Sequence, residues 1–271
     1  MISIIIVTHN SQRTLRACLL SVAAQQAEGL EVIIVDNASD DATLTIVTEL
    51  YPDAILIQNT ANKGAAQARN QAIALARGEW VLTLDSDAVL EEGFLRTFLI
   101  CEKLLAPDVG MVQPNILSAD HRRVYSQGIY LSPLRRFFDV NREELFPCHN
   151  NKVKKIIGPC AAAAFYRRSM LERLKEATGY FDERFFFLVE DVDLAWRARK
   201  AAWQVVFMPE LIACHDGDGS CTDLERRQTL CQRNRHLMIT KNESFWGRLW
   251  VYFISAPYEL ARTAVKSGRM R

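Results

Sequence analysis

Residues 82–90 read LTLDSDAVL, with two aspartates one residue apart directly behind an apolar run. Like charges at the end of a buried strand repel unless something positive sits between them, and an Asp-x-Asp pair can present two carboxylates to one divalent cation. Hard oxygen ligands of this kind suit Mg²⁺ or Mn²⁺, ions that usually arrive with substrate phosphates. A second acidic run, Glu190-Asp191-Val192-Asp193, opens a helical pattern ending in Arg197, Arg199 and Lys200. Acids first and bases last is what the helix dipole favours, and Asp193 with Arg197 makes an i, i+4 pair, so Asp193 reads as structural. Glu190 and Asp191 fit the same pattern, but Phe181, Phe185, Phe186 and Phe187 precede them. Aromatic walls limit water and raise a carboxyl group toward the range of a general base, which makes Glu190 and Asp191 the catalytic candidates. His215, in CHDGDGS, stands where an imidazole can complete a metal site. Zinc held by Cys148, His149, Cys214 and His215 is a minor alternative.

These groups need a scaffold that brings residues 85, 191 and 215 together. Residues 3–7, 32–35, 54–57 and 80–84 are short Ile- and Val-rich runs, as expected for strands buried on both faces of a parallel sheet. Between them Leu15, Cys18, Leu19 and Val22 share one helical face with Ser11 as N-cap, a second helix begins near Asp40, and a third covers about 65–77. The pattern predicts an α/β fold, a Rossmann-like, mostly parallel open sheet with flanking helices and right-handed crossovers. Polar clusters follow the first, second and fourth strands: Thr8-His9-Asn10, Asp36-Asn37-Ala38-Ser39-Asp40 and Asp85-Ser86-Asp87. Ligands of open α/β sheets bind outside the carboxyl ends of the strands, so these clusters mark a site. Asp36 can accept hydrogen bonds from a base or ribose, and Asn62-Lys63-Gly64 with Arg69 can add cationic donors. No Gly-x-Gly-x-x-Gly follows the first strand and no Walker A sequence occurs, which disfavours dinucleotide and P-loop readings. Residues 101–157 read as a few strands with long loops, broken by Pro107, Pro114, Pro133 and Pro147.

Composition narrows the class. With 271 residues, 49% hydrophobic and 24% charged, the chain has ample material for a folded core. Its seven cysteines are scattered without a CxxC pair, which points to reduced thiols in the cytoplasm. Met1 runs straight into ISIIIV without the basic start and cleavage site of a signal peptide, and no apolar run reaches the ~18–20 residues of a membrane span.

Six stretches, in order, resemble the family 2 glycosyltransferases having the GT-A fold, especially their rhamnosyltransferase-like and galactofuranosyltransferase-like branch. They are IIIVTHNS, VDNASDDAT, NKGAAQARN, LDSDAV, GYFDERFFFLVEDVDLAWRARKAAW and MPELIACHDGDGS. The resemblance implies a GT-A domain over 1–222, with a nucleotide-binding half (1–100) and an acceptor-binding half (101–222). It implies a nucleotide-diphosphate sugar donor held near Thr8, Asn10, Asp36, Lys63, Gly64, Arg69 and Asp85. It further implies a Mn²⁺ or Mg²⁺ ion on Asp85, Asp87 and His215, and Asp191 as general base with Glu190 beside it. One base and one displacement imply inversion at the anomeric carbon. The chain departs from the branch in having Asp-Ser-Asp where Asn-Pro-Asp is frequent, Ala202 where glycine is usual, and the small-residue run 161–164.

Beyond the resemblance, residues 223–271 read as a basic amphipathic helical segment. From Arg226 onward ten Lys and Arg stand against Glu243 and Glu259, a balance of +8, which leaves −7 for the first 225 residues of a chain with net charge +1. Phe245, Trp246, Leu249, Trp250, Tyr252 and Phe253 lie among these cations, a composition suited to an anionic membrane surface at the cytoplasmic face of the inner membrane; a helix packed on the domain is the competing reading. The acidic body disfavours nucleic acid. The acceptor is then a saccharide or lipid-linked saccharide in bacterial surface polysaccharide assembly. Two other functions compete. A sugar-phosphate nucleotidyltransferase should carry a glycine- and arginine-rich loop after the first strand, which IIIVTHNSQRT lacks, and a non-catalytic nucleotide-sugar-binding module would not need Asp191.

Overall fold

The computed structural model describes residues 1–25, 27–147, 155–217 and 224–254. The first half alternates as expected: β1 (Ile2–Thr8), α1 (Leu15–Ala23), β2 (Leu30–Asp36), α2 (Thr43–Leu50), β3 (Ile55–Gln58), α3 (Gly64–Leu75) and β4 (Trp80–Asp85). β5 (Ala88–Leu90), α4 (Phe94–Cys101), β6 (Val109–Ser118), β7 (Val124–Ser126), β8 (Ile129–Leu131) and β9 (Phe137–Asp139) follow. The chain continues with β10 (Ala163–Arg167), α5 (Arg168–Leu174), α6 (Glu190–Lys200), β11 (Gln204–His215) and α7 (Leu224–Asn242), and helical backbone runs again over 245–254.

One curled sheet has the order β3-β2-β1-β4-β10-β6-β11-β5, with β7 added to β6; β8 and β9 form a separate pair. β1 to β4 are parallel neighbours, and β6 and β11 run with them. β10 lies antiparallel between β4 and β6, and β5 and β7 are antiparallel to their neighbours. The sheet is thus mostly parallel, and its Ile- and Val-rich strands are buried because helices cover both faces. Ile4, Ile6, Leu82 and Phe165 pack beneath α1, α2 and α4 on one side, while Ile5, Ile33, Val81 and Tyr166 pack beneath α3, α5 and α6 on the other.

Pro114, which the sequence marks as a breaker, sits inside β6. On one edge β6 pairs with β10 at Met111 and Val112 and with β7 at Ile116 and Leu117, so Pro114 falls where the partner strand changes and no ladder bond is needed. The expected caps also differ. α1 begins after Thr14, with the Ser11 carbonyl rather than its hydroxyl accepting from the first turn. α2 begins at Thr43 rather than near Asp40, and the Thr43 N–H is met by Asp41 at 2.9 Å. Short polar runs offer several capping oxygens, and the loop path decides among them.

α7 packs on α6. Asn242 donates to Asp193 at 2.6 Å, and the Lys241 ammonium reaches both Asp193 and Asp182 at 2.9 Å. Asp193 also accepts from Arg197 at 2.8 Å, the i, i+4 pair legible in the sequence. A third apolar cluster, Ile129, Phe185, Val189, Val192, Met238, Ile239 and Val251, ties α7 and helix 245–254 to the loop before α6. Among the described residues no helix is long and apolar enough to cross a membrane.

Candidate active site

The strand ends open into a cleft of about 620 Å³. Thr8, Gly64, Arg69, Asp85, Asp87, Glu190, Asp191 and His215 all line it, so residues more than a hundred positions apart share one cavity. Asn10, Asp36 and Lys63 are not among its lining residues. Asp36 is buried and closes the turn after β2, accepting from the Thr8 hydroxyl at 3.0 Å, the Ser39 hydroxyl at 2.5 Å and the Ser39 N–H at 3.0 Å. Asn10, with φ 53°, accepts from the Asp40 N–H at 2.9 Å. The Lys63 N–H donates to Asn37, which itself faces the cleft.

β4 and β5 deliver the aspartate pair, and β11 delivers His215 opposite Ala88. The Nε2 of His215 lies 3.1 Å from Asp87 and 3.6 Å from Asp85. Ligand atoms of the three residues fall within 4.8 Å of one another, a set of hard oxygens plus imidazole that fits Mn²⁺ or Mg²⁺. The histidine Nδ1 is buried with no partner among the described residues, and Tyr125 packs on the ring at 4.4 Å between centroids. Burial would lower the pKa of His215, but its contacts with Asp85 and Asp87 outweigh that and lift it to about 9. The site therefore draws positive charge between its two acids. Burial would raise the pKa of Asp85, yet hydrogen bonding to His215 and the Arg69 charge prevail and hold it below the usual carboxylate range.

Arg69, on α3, is the joint between the two acidic clusters. Its Nη2 meets Asp85 at 2.8 Å and its Nη1 meets Glu190 at 2.5 Å, with the guanidinium nearly buried. Arg69 is thus held inside the site by two carboxylates and is not a solvated residue on the helix surface. Asp191, next along, accepts from the Ala161 N–H at 3.2 Å and its own neighbour's N–H, Val192, at 2.8 Å. Removal from water and the Glu190 charge push its pKa up to about 7. A carboxyl near neutrality facing a cleft is equipped to take a proton.

The loop before Asp191 is strained. Phe186, Leu188 and Val189 all have positive φ, at 63°, 69° and 74°, and such residues cost about 1–3 kcal/mol each unless the surroundings enforce them. Enforcement comes from α7: the buried Asn234 amide donates to the carbonyls of Phe185, Phe187 and Leu188 at 2.9, 2.9 and 2.8 Å. From the other side the Ala66 N–H donates to the Phe186 carbonyl at 3.2 Å. Gly64 lets α3 come this close, since it has φ +82° and a Cβ there would lie 2.4 Å from the Phe186 oxygen. Gly64→Ala is therefore expected to lose about 2 kcal/mol or more, read as a fall in thermal midpoint; an unchanged midpoint would show that the loop is not pressed against α3.

Sequence reasoning missed Asn234, Tyr125 and Arg142. The Arg142 guanidinium covers Tyr125 at 4.3 Å, and both line the cleft. Neither belongs to a regular pattern, and Asn234 is one polar residue within a polar helix. Of the zinc set weighed from the sequence, Cys148 and His149 lie outside the described residues, while Cys214 and His215, adjacent on β11, point to opposite faces.

The fold is of the GT-A glycosyltransferase type. It matches the mannosyltransferase PcManGT from Pyrobaculum calidifontis, solved with GDP-Man and Mn²⁺, with a TM-score of 0.62 at 18% identity, covering 98% of this chain and 79% of that one. The chain belongs to glycosyl transferase family 2, whose model matches residues 3–175. Among curated relatives, the N-acetylglucosaminyl-diphospho-decaprenol L-rhamnosyltransferase of Mycobacterium tuberculosis is 25% identical over 272 residues, covering 90% of this chain and 86% of that protein. The succinoglycan biosynthesis protein ExoO of Rhizobium meliloti is 30% identical over 129 residues, which are 46% of this chain and only 37% of that protein.

Proposed function

We propose that this protein is an inverting, divalent-cation-dependent glycosyltransferase that moves a sugar from a nucleotide-diphosphate donor to a hydroxyl of a saccharide or lipid-linked saccharide in bacterial surface polysaccharide assembly. The observation that carries this reading is the shared cleft: Asp85, Asp87 and His215 on one wall, Asp191 on another, Arg69 between them. Thr8, Gly64 and Arg69 contact the donor, while Asn10, Asp36 and Lys63 shape the turns behind it. Asp191 accepts the proton of the acceptor hydroxyl as that oxygen bonds to the anomeric carbon, and the carbon–phosphate oxygen bond breaks on the opposite face with its electron pair leaving on the nucleoside diphosphate. Asp85, Asp87 and His215 hold the cation, which when bound supplies charge neutralisation at the diphosphate. Aromatic Phe186 and Phe187 keep water from competing with the acceptor.

A panel of uridine, guanosine and thymidine diphosphate sugars with Mn²⁺ or Mg²⁺ tests the reading. Release of nucleoside diphosphate from one of them, lost in chelator and in Asp87→Asn, is the expected result. Release of pyrophosphate from a nucleoside triphosphate and a sugar phosphate would establish a nucleotidyltransferase instead, and a product of retained anomeric configuration would overturn inversion.

The acceptor side is supported by helix 245–254. Phe245, Trp246, Leu249, Trp250, Phe253 and Ile254 recur at i, i+1, i+4, i+5, i+8 and i+9, with Trp246 76% and Phe253 81% exposed, while Val251 on the other face is buried. An apolar stripe of this kind beside a segment carrying +8 fits the surface of an anionic bilayer, the cytoplasmic face where a lipid-linked acceptor would be presented. Co-sedimentation with phosphatidylglycerol-containing vesicles is expected, weakened by salt and by the combined change Trp246→Ser, Trp250→Ser and Phe253→Ser. Equal pelleting of the triple variant would remove the stripe from any membrane role.

A further inference from the structure

Behind the cleft, on the reverse face of β11, a second group of ligand-type side chains converges. Cys214 points away from His215 and into a space shared with Glu91, which follows β5, and His121, in the turn between β6 and β7. The Cys214 Sγ lies 3.5 Å from either ring nitrogen of His121 and 3.7 Å from Oε1 of Glu91, and His121 Nε2 lies 3.7 Å from that same oxygen. Metal–ligand distances of about 2.3 Å for sulfur and about 2.0–2.2 Å for nitrogen and oxygen make the edges of a tetrahedral zinc site about 3.3–3.6 Å long. The three atoms therefore already stand almost at the spacing of one face of such a tetrahedron.

The surroundings favour an ion over a chance meeting of side chains. His121 adopts φ 58° in a turn fixed by Asp120, which accepts from the Ser118 hydroxyl at 2.6 Å and the Arg122 N–H at 3.1 Å. Cys214 is seated among Leu117, Val124, Phe146 and Ile212, whereas the Glu91 and His121 side chains are about half exposed. The sulfur is anchored and the other two ligands open toward solvent, which leaves an entry path and a fourth position for water. Thiolate, imidazole and carboxylate together select a borderline-soft cation, in contrast to the hard set of Asp85, Asp87 and His215.

We propose that Glu91, His121 and Cys214 bind a zinc-class divalent cation with water as fourth ligand, and that this ion fastens β5 to β11 directly behind the residues that face the cleft. The two strands pair there, Cys214 opposite Val89 and His215 opposite Ala88, so the ion would clamp the strand ends that carry Asp87 and His215. The assignment stands independently of the transferase reading, because its readout is metal ligation and not activity.

Cobalt(II) titration of the full chain at neutral pH tests it. A sulfur-to-cobalt charge-transfer absorption with the intense visible bands of tetrahedral cobalt is expected, displaced by zinc. It should vanish in Cys214→Ser, and His121→Ala, a change in an exposed turn that leaves the core alone, should weaken it at least ~tenfold. Asp87→Asn should retain it. No sulfur band in the wild type, or an unchanged band in His121→Ala, would overturn the site.

Discussion

Asp191→Asn is expected to lower kcat by about 10²–10⁴-fold with little change in donor affinity, because in the mechanism we propose it removes the group that accepts the proton and leaves the wall of the cleft in place. Asparagine keeps the hydrogen bond from the Ala161 N–H through its carbonyl oxygen, so the loop need not move. The same residue fixes the pH profile of the wild type. With its pKa pushed up to about 7 by burial and by Glu190, Asp191 is progressively protonated below neutrality, so kcat/KM should fall tenfold per pH unit on the acidic limb. Glu190→Gln removes the neighbouring charge and should move that limb to lower pH. Steady-state transfer from pH 5 to 9 measures both; an Asp191→Asn rate within tenfold of wild type would remove Asp191 from the chemistry.

Arg69→Met should be the most destabilising single change at the site, by about 3–5 kcal/mol at neutral pH, because it leaves Glu190 and Asp85 in a buried cluster without their shared cation. The sign of the pH dependence follows. In the wild type the folded pKa of Asp85 is depressed, so its contribution is present above the unfolded value and is lost as pH falls. Glu190, already raised by burial, would rise further without Arg69, and Asp85 would lose part of what holds it down beside His215, so the deficit of the variant appears as pH climbs through these raised values. The gap between wild type and Arg69→Met in urea midpoint should thus narrow on acidification toward pH 4. A gap that stays constant there would mean that Arg69 acts by packing on Phe181, 5.7 Å from its ring centre, rather than by charge.

The first half of the fold was legible because β1, β2 and β4 are buried on both faces and so appear as unbroken Ile and Val runs. The acids and histidine were legible because each sits at a strand end or helix start, where chemistry leaves a polar interruption. What stayed hidden depends on contacts between distant segments. Nothing around Arg69 in α3 announces that Glu190, 121 positions later, will reach it. Asp36 carries the same local signature as Asp85, yet only the turn formed by Ser39 decides that its carboxylate is consumed locally. Tyr125 and Arg142 come from the irregular middle of the chain, where proline and loop residues suppress any period, and Cys214 and His121 meet only because β7 folds back on β6.

The clasp that Asn234 places on the loop before α6 has a practical meaning for anyone building chimeras in this family. The family match ends at 175, which tempts the engineer to treat everything later as an exchangeable tail. A splice near 222 would pair the strained loop ahead of Asp191 from one parent with the retaining carboxamide of another, and hybrids cut there should lose turnover even when both parents work. Joining the parents ahead of Gly158 instead would let loop and clasp travel together.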